Sequence, residues 1–398
     1  MEQNSIWKNL PVDVLEEIMK RLPLREYLEL RSICFPWWIS VCNVIAKEHC
    51  PPLPELPLVL LRNEDLMLFS LSTESVHRLK TTLLKRAHIC HGSVEGWLIV
   101  SDNTVKGSAT FFFLNAVTKD RIMIPSKLYF PSKSLVQGHR YMAKMVASSK
   151  PVRDCYLAGI LNDFCQIAIY KLFEKSWTII EPDKDSRIYF KDLEIIGTKL
   201  YVRTDTISHS ILVYDLKDST NGPPKAEMLT KLPKLRQLVS SSIGNHCIDV
   251  DHTLCFLAKD EASRELYLIY MMCNMEYTVE YNTVSAFVKP PEYTTIKVFK
   301  LEMNKEPIGW QNVRMDDRVA FVSSYKCMVM SRDKLNYNKE LIRGNSIYIA
   351  LNFPCPKSPW SGFQLGVFCL TNRSMKYFPF DTSNHCRVPR SLWFVPSL

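Results

Sequence analysis

Residues 7–57 read WKNLPVDVLEEIMKRLPLREYLELRSICFPWWISVCNVIAKEHCPPLPELP. Three short helical patterns run into a proline-rich break. Pro11 suits the first turn of a helix, where its missing N–H costs nothing. Leu10, Val14, Leu15, Ile18, Met19 and Leu22 then recur at helical spacing and form one apolar stripe. Asp13, Glu16 and Glu17 come early and Lys20 and Arg21 late, which complements the macrodipole. Glu16–Lys20 and Glu17–Arg21 are also favourable i,i+4 pairs. Pro23 ends this helix. A second pattern covers Tyr27, Leu28, Leu30, Arg31 and Ile33. Pro36 opens a third, with Trp37, Val41 and Ile45 on one face and Trp38 and Cys42 beside it.

A unit of about fifty residues buries too little surface to be comfortable alone. Its apolar excess points to a partner groove. Periodicity alone equally allows a helical cap folded onto the rest of the chain. The order Leu10-Pro11, Leu15, Ile18 and Arg31-Ser32-Ile33-Cys34-Phe35-Pro36-Trp37 resembles an F-box, which docks proteins onto a Skp-type adaptor. Trp38 departs from the Arg or Lys that many plant F-boxes place there. The resemblance implies adaptor contacts through Leu10, Pro11, Leu15, Ile18, Leu22, Leu30, Ile33, Cys34 and Trp37. It also implies cullin and RING subunits recruited through the adaptor.

The 398 residues provide for this unit plus one large domain. No apolar run approaches the ~18 residues that span a membrane, and no basic-then-apolar leader opens the chain. Thirteen cysteines, an odd number, are scattered singly with no Cys-x-x-Cys. They read as reduced thiols of a nuclear or cytoplasmic protein. In that setting the sequon Asn372-Arg373-Ser374 is noise. Net charge is +9; residues 1–50 hold 6 Lys+Arg against 7 Asp+Glu, so the remainder carries +10. Its basic residues are dispersed, with no run longer than Lys85-Arg86, which argues for solvation rather than nucleic-acid binding.

Four prolines in residues 51–57 mark a stiff spacer. The expected domains are a helical unit at 4–49, a linker at 50–57 and one further unit at 58–398. That last unit reads as strands: Gly96–Val100, Thr110–Leu114, Gln166–Tyr170, Lys199–Val202, Ile211–Tyr214, Thr253–Leu257, Ile296–Phe299, Ser346–Ile349 and Leu365–Phe368. Turn-prone clusters such as Asp218-Ser219-Thr220-Asn221-Gly222 and Asn304-Lys305-Glu306-Pro307 separate them. An aromatic-x-Leu ending recurs at Tyr170/Leu172, Tyr214/Leu216, Phe299/Leu301 and Phe368/Leu370. Twice a charged turn and a tryptophan follow, at Trp177 and Trp310. Tyr170 to Tyr214 is one step of a propeller period, and Tyr214 to Phe299 is close to two. About 340 residues would make about seven ideal blades, or fewer with long insertions. A large array of β-sandwiches is the alternative.

A second resemblance covers about 90–398. Plant F-box proteins carry a C-terminal β-propeller domain long regarded as of unknown function. Its motifs resemble Cys90-His91-Gly92-Ser93 with Gly96-Trp97-Leu98, then Leu114-Asn115-Ala116-Val117-Thr118, Gly197-Thr198-Lys199-Leu200-Tyr201 and Val213-Tyr214-Asp215-Leu216. The ending Trp393-Phe394-Val395-Pro396-Ser397-Leu398 is close to the family's own. The fold class expected is therefore a small all-α F-box of three helices followed by an all-β propeller-like domain.

No catalytic, cofactor or metal site is expected. Gly92-Ser93-Val94-Glu95-Gly96 is not a nucleophile elbow, because its serine directly follows the first glycine. His88, Cys90 and His91, with His246, Cys247, His252 and Cys255, lack the tight pairing of zinc motifs. Asp249/Asp251 and Asp316/Asp317 read as turn acids. Trp97, Trp177, Trp310 and Trp393 read as blade core. The two resemblances together imply a substrate receptor of a ubiquitin ligase, with an unidentified target protein. The rival is a non-ligase propeller binding module with a vestigial F-box; a hydrolase or glycan-acting propeller ranks third. Segments near 218–236 and 327–345 read as polar loops long enough for recognition elements or, equally, disordered tips.

Overall fold

The computed structural model describes residues 10–22, 24–47, 50, 56–62, 66–78, 84–85, 88–102, 108–129, 142–161, 166–181, 188–205, 209–217, 223–233, 243–244, 247–278, 292–333, 335, 340, 342–353, 362–378 and 390–397. Pro23, the proline run 51–54 and the turn 218–222 lie outside the described residues.

The first unit is helical: α1 (Val12–Met19), α2 (Leu24–Glu29), a 3-10 turn (Leu30–Ser32) and α3 (Phe35–Lys47). Pro11 is the N-cap of α1, with φ −55° and ψ 142°, and so stands just outside the first helical residue. Its carbonyl accepts the N–H groups of Val14 and Leu15 at 3.1 Å. Leu15, Met19, Tyr27, Leu30, Trp37, Val41, Val44 and Cys50 form a closed core. Lys20 reaches Glu17 at 2.7 Å. The tyrosine hydroxyl of Tyr27 donates to the carbonyl of Cys50 at 2.6 Å. Cys50 is thus part of the helical unit. Leu56, at the other end of the spacer, is buried in the core of the β unit.

That β unit is a propeller. The first blade orders its strands Arg390–Phe394, Leu58–Arg62, Leu66–Ser70 and Ser75–Arg78. The next three each use four consecutive antiparallel strands. They start at the inner strands His88–Val94, Met142–Ala147 and Tyr189–Ile196. The last two share a ten-stranded sheet, because Lys259 and Asp260 pair in parallel with Met328 and Val329. One part is built on Cys247–Asp260. The other holds the hairpin Arg318–Ser323/Cys327–Ser331, then Ser346–Phe353, Gly362–Cys369 and Ser374–Tyr377. Six blades result among the described residues, with long strands and insertions accounting for the shortfall from seven.

The inner strands pack in sequence around the axis. Gly92 marks one tight approach: a Cβ there would lie 2.0 Å from the carbonyl oxygen of Met145 on the next blade. The first blade completes itself with the last strand of the chain. Leu58–Arg62 pairs antiparallel with Arg390–Phe394, joining the two ends of the β unit.

Every strand expected from the sequence forms. The aromatic-x-Leu ending lies on the penultimate strand of its blade, and Tyr170, Tyr214, Phe299 and Phe368 are buried there. Phe69 and Leu71 repeat the pattern in the first blade, and both are buried. Trp393 is fully buried, while Trp97, Trp177 and Trp310 are partly buried against blade cores. Of the segments near 218–236 and 327–345, residues 218–222, 234–236, 334, 336–339 and 341 lie outside the described residues, and the rest is in part strand rather than loop. Ala226–Lys231 is an exposed edge strand, and Cys327–Ser331 begins as a buried strand with Cys327, Met328 and Val329 in the core.

Candidate functional site

The helical unit is apolar on two sides. On α3, Trp37, Val41 and Val44 are spaced i, i+4, i+7 and face the core. Phe35, Trp38 and Ile39, spaced i, i+3, i+4, lie on the outer side and are exposed. Phe35 is 71% exposed and Trp38 48%, and their rings stack at 5.9 Å with planes 13° apart. Ile33, in the turn before α3, is 59% exposed, and Val12 and Val14 are exposed on α1. A helix apolar all round belongs in a buried setting. Here one side of α3 is buried within the unit and the other meets solvent.

The nine residues implied by the F-box resemblance fall into three groups. Leu15, Leu30 and Trp37 are buried and hold the helices together. Leu10, Leu22 and Cys34 are half-buried against the margin of that core, and Ile18 is half-buried on α1. Pro11 and Ile33 are exposed. Phe35, Trp38 and Ile39 are exposed apolar residues outside the nine that the F-box resemblance implies. Their signal in the sequence is the i, i+3, i+4 spacing on a helix whose other face was already assigned.

A family model described as F-box domain matches residues 7–37, and one described as KIB1-4 beta-propeller matches residues 68–377. The chain belongs to the KIB1-4 beta-propeller family. An F-box/kelch-repeat protein of Arabidopsis thaliana is 31% identical over 128 residues, covering 30% of this chain and 32% of that protein. A probable F-box protein of the same plant is 24% identical over 132 residues, covering 32% and 31%. The chain therefore matches about a third of the length of these curated relatives. Among solved structures, the WD40 domain of SCAP from fission yeast is similar at 14% identity, with 88% of this chain and 76% of that one covered and a TM-score of 0.27.

Around the axis of the KIB1-4 propeller, Lys144, Asp192, Lys259 and Lys326 are buried and paired, with Glu261 at the exposed end of the group. Lys144 Nζ contacts Asp192 Oδ1 at 2.6 Å, and the Asp192 carboxylate also accepts the N–H groups of Leu193 at 2.8 Å and Leu257 at 2.7 Å. Lys259 and Lys326 each reach Glu261 at 3.0 Å. Burial opposes ionisation of Glu261, but the ammonium groups of Lys326 and Lys259 outweigh it and hold the carboxyl down to about 2. Burial likewise disfavours charge on Lys144, yet Asp192 keeps its pKa above the usual value. Cys327, buried beside them, is pushed up to about 12 by burial, with Lys144 opposing. Lys144–Asp192 and Lys259/Lys326–Glu261 thus hold opposite charges together across neighbouring blades.

Among the described residues, those weighed as metal ligands do not converge. His91 Nε2 shares a hydrogen bond with Ser101 Oγ at 2.8 Å, and His88 Nε2 lies 3.5 Å from Asp102. His246 lies outside the described residues, as do the side chains of Cys247 and His252. Among the described residues no three of His, Cys, Asp and Glu group so as to hold a metal ion. Asp317 pairs with Arg332 at 3.1 Å. The nine cysteines whose side chains are described form no disulfide.

Proposed function

We propose that this chain is a substrate-recognition subunit of a Skp–cullin–F-box ubiquitin ligase. The observation that carries the reading is the exposed apolar side of α3, with Phe35 stacked on Trp38, on a helical unit matched by the F-box model. Fully burying one such side chain is worth roughly 1.5–3 kcal/mol, and interfaces concentrate their energy in a few residues, aromatic ones above all. The adaptor would cover Ile33, Phe35, Trp38 and Ile39, with Pro11 and the half-buried Leu10, Ile18, Leu22 and Cys34 at the margin. Leu15, Leu30 and Trp37 would act from beneath, by holding α1 and α3 in register.

On this reading the chain performs no bond-making step itself. The propeller holds a target protein, and cullin and RING subunits bring the ubiquitin-charged enzyme. Tethering makes delivery quasi-intramolecular, at the effective concentration set by the assembly. Its place of action would be the nucleus or cytoplasm. The test mixes the purified chain with a plant Skp adaptor and follows complex formation by size exclusion. Stoichiometric co-elution is expected, and its loss on Leu10→Ala with Pro11→Ala, or on Phe35→Ala with Trp38→Ala, assigns the contact. No complex from a folded sample would leave a propeller binding module with a silent F-box.

A further inference from the structure

The fifth and sixth blades are separated by a surface cleft of about 540 Å³. Its walls come from the strand Glu292–Glu302, the segment after Gly309–Asn312, and the turns that flank Ser346–Phe353 and follow Gly362–Cys369. Val298 and Phe368 form a buried apolar floor, with Ile296, Val313 and Leu370 half-exposed on it. The rim is basic. Lys297, Arg314 and Arg373 are exposed and line the opening, against the single carboxylate of Asp316.

These three cations differ from most others nearby. Lys300 is engaged by Glu265, Arg318 lies within 4 Å of Asp260 and Glu265, Arg332 contacts Asp317, and Lys376 contacts Glu74. Lys297, Arg314 and Arg373 have no carboxylate within 4 Å among the described residues. Like charges gathered around a concave, partly apolar surface raise the local concentration of an anionic partner. The polar lining is also pre-set: the Asn345 side chain accepts the Met315 N–H at 3.3 Å and donates to Thr371 Oγ1 at 3.0 Å.

We propose that this cleft binds an acidic, extended segment of a partner protein. Apolar side chains of that segment would sit against Ile296, Val313 and Leu370, and its carboxylates would meet Lys297, Arg314 and Arg373. The inference deepens the receptor reading, since it names where on the propeller a target is held. A cleft with an apolar floor and a charged rim fits a chain segment whose alternate residues face in and out.

The experiment selects binders from a library of random dodecapeptides on the full chain at about 0.1 M salt. The selected pool should be enriched in Asp and Glu interspersed with apolar residues. A peptide taken from that pool should bind by fluorescence anisotropy and weaken as salt rises. Lys297→Glu, Arg314→Glu and Arg373→Glu combined should weaken it at least tenfold. Lys376→Glu, at a neighbouring cleft where the cation is already paired, should change it less than twofold. A pool without acidic enrichment, equal binding to the triple variant, or complete displacement by millimolar inorganic phosphate would overturn the proposal. Adaptor co-elution of the triple variant is measured alongside. Its retention with peptide binding lost assigns the effect to the cleft. Loss of adaptor binding in the unaltered chain instead removes the ligase reading while leaving the cleft's result standing.

Discussion

Trp393 donates its indole Nε1–H to the carbonyl of Val322 at 3.0 Å, across the seam where the last strand of the chain meets the sixth blade. The same strand is held on both sides. The Trp393 N–H reaches Ser323 Oγ at 3.3 Å, and its carbonyl accepts Ser93 Oγ–H from the second blade at 2.9 Å. The Ser391 hydroxyl adds a bond to Ala350 O at 2.6 Å. The Trp393 ring packs edge-on against Phe321, centroids 5.1 Å apart. A propeller is only as closed as its seam, so the C-terminal motif serves as the fastener of the ring.

Removing that fastener should open the molecule. Trp393→Ala deletes a fully buried side chain, and such changes cost about 3–5 kcal/mol. The expected outcome is a clearly lowered denaturant midpoint, with the helical unit's adaptor binding retained. Trp393→Phe, which keeps most of the volume but loses the N–H donor, should fall between the two. Equal midpoints for Trp393→Ala and the unaltered chain would show that closure does not depend on this residue.

The Lys144–Asp192 pair offers a second check. Both residues are buried, and the Asp192 carboxylate also receives two backbone N–H groups. Deleting one partner leaves an uncompensated charge, at about 3–5 kcal/mol. Lys144→Met and Asp192→Asn should each destabilise strongly. Combined, they should cost less than the sum of the two, because no lone charge then remains. Strict additivity in urea unfolding would count against a coupled pair.

Much of this architecture was legible in the chain. Short β-branched and aromatic runs gave the strands, because a strand buried on both faces must be apolar throughout. The aromatic-x-Leu ending marked the penultimate strands, because each blade repeats one packing solution. The axis was harder to read. Lys144, Asp192, Lys259 and Lys326 come from separate blades and converge only in three dimensions, so no sequence spacing announces them. The boundary at Cys50 was hidden for a similar reason: its carbonyl is claimed by Tyr27, 23 residues away. On α3 the outer face was readable, but Phe35, Trp38 and Ile39 look like core until Trp37, Val41 and Val44 fill that role.

The axis also sets a pH dependence. The Glu261 carboxyl ionises at about 2 in the folded chain, against 4.5 for an unshifted glutamate. A depressed folded value means the stabilisation is fully present above about 4.5 and is lost as pH falls towards about 2. Lys326 is shifted upward, so its contribution holds below about 10.5 and fades as pH rises through the folded value. Glu261→Gln should flatten the acid limb of the stability curve and lower stability at neutral pH, where Lys259 and Lys326 lose their shared partner. Urea midpoints between pH 2 and 7 read this directly. An acid limb identical to that of the unaltered chain would remove Glu261 from the account.

The helical unit should separate folding from docking. Leu15 is 1% exposed in its core, and Leu→Ala at such sites costs about 2–5 kcal/mol. In a core this small, that loss should melt the unit and abolish adaptor capture together with its helical circular-dichroism signal. Trp38 and Phe35 lie outside, so their removal should leave the helices formed. Phe35→Ala with Trp38→Ala is therefore expected to weaken adaptor binding at least tenfold with an unchanged helical signal. Trp38→Arg, which installs the residue type many plant F-boxes carry there, should keep binding within a few-fold, since an arginine stem still covers apolar surface. If the double alanine variant binds as tightly as the unaltered chain, the adaptor does not use the outer face of α3, and the half-buried margin of Leu10, Ile18 and Leu22 must carry the contact instead.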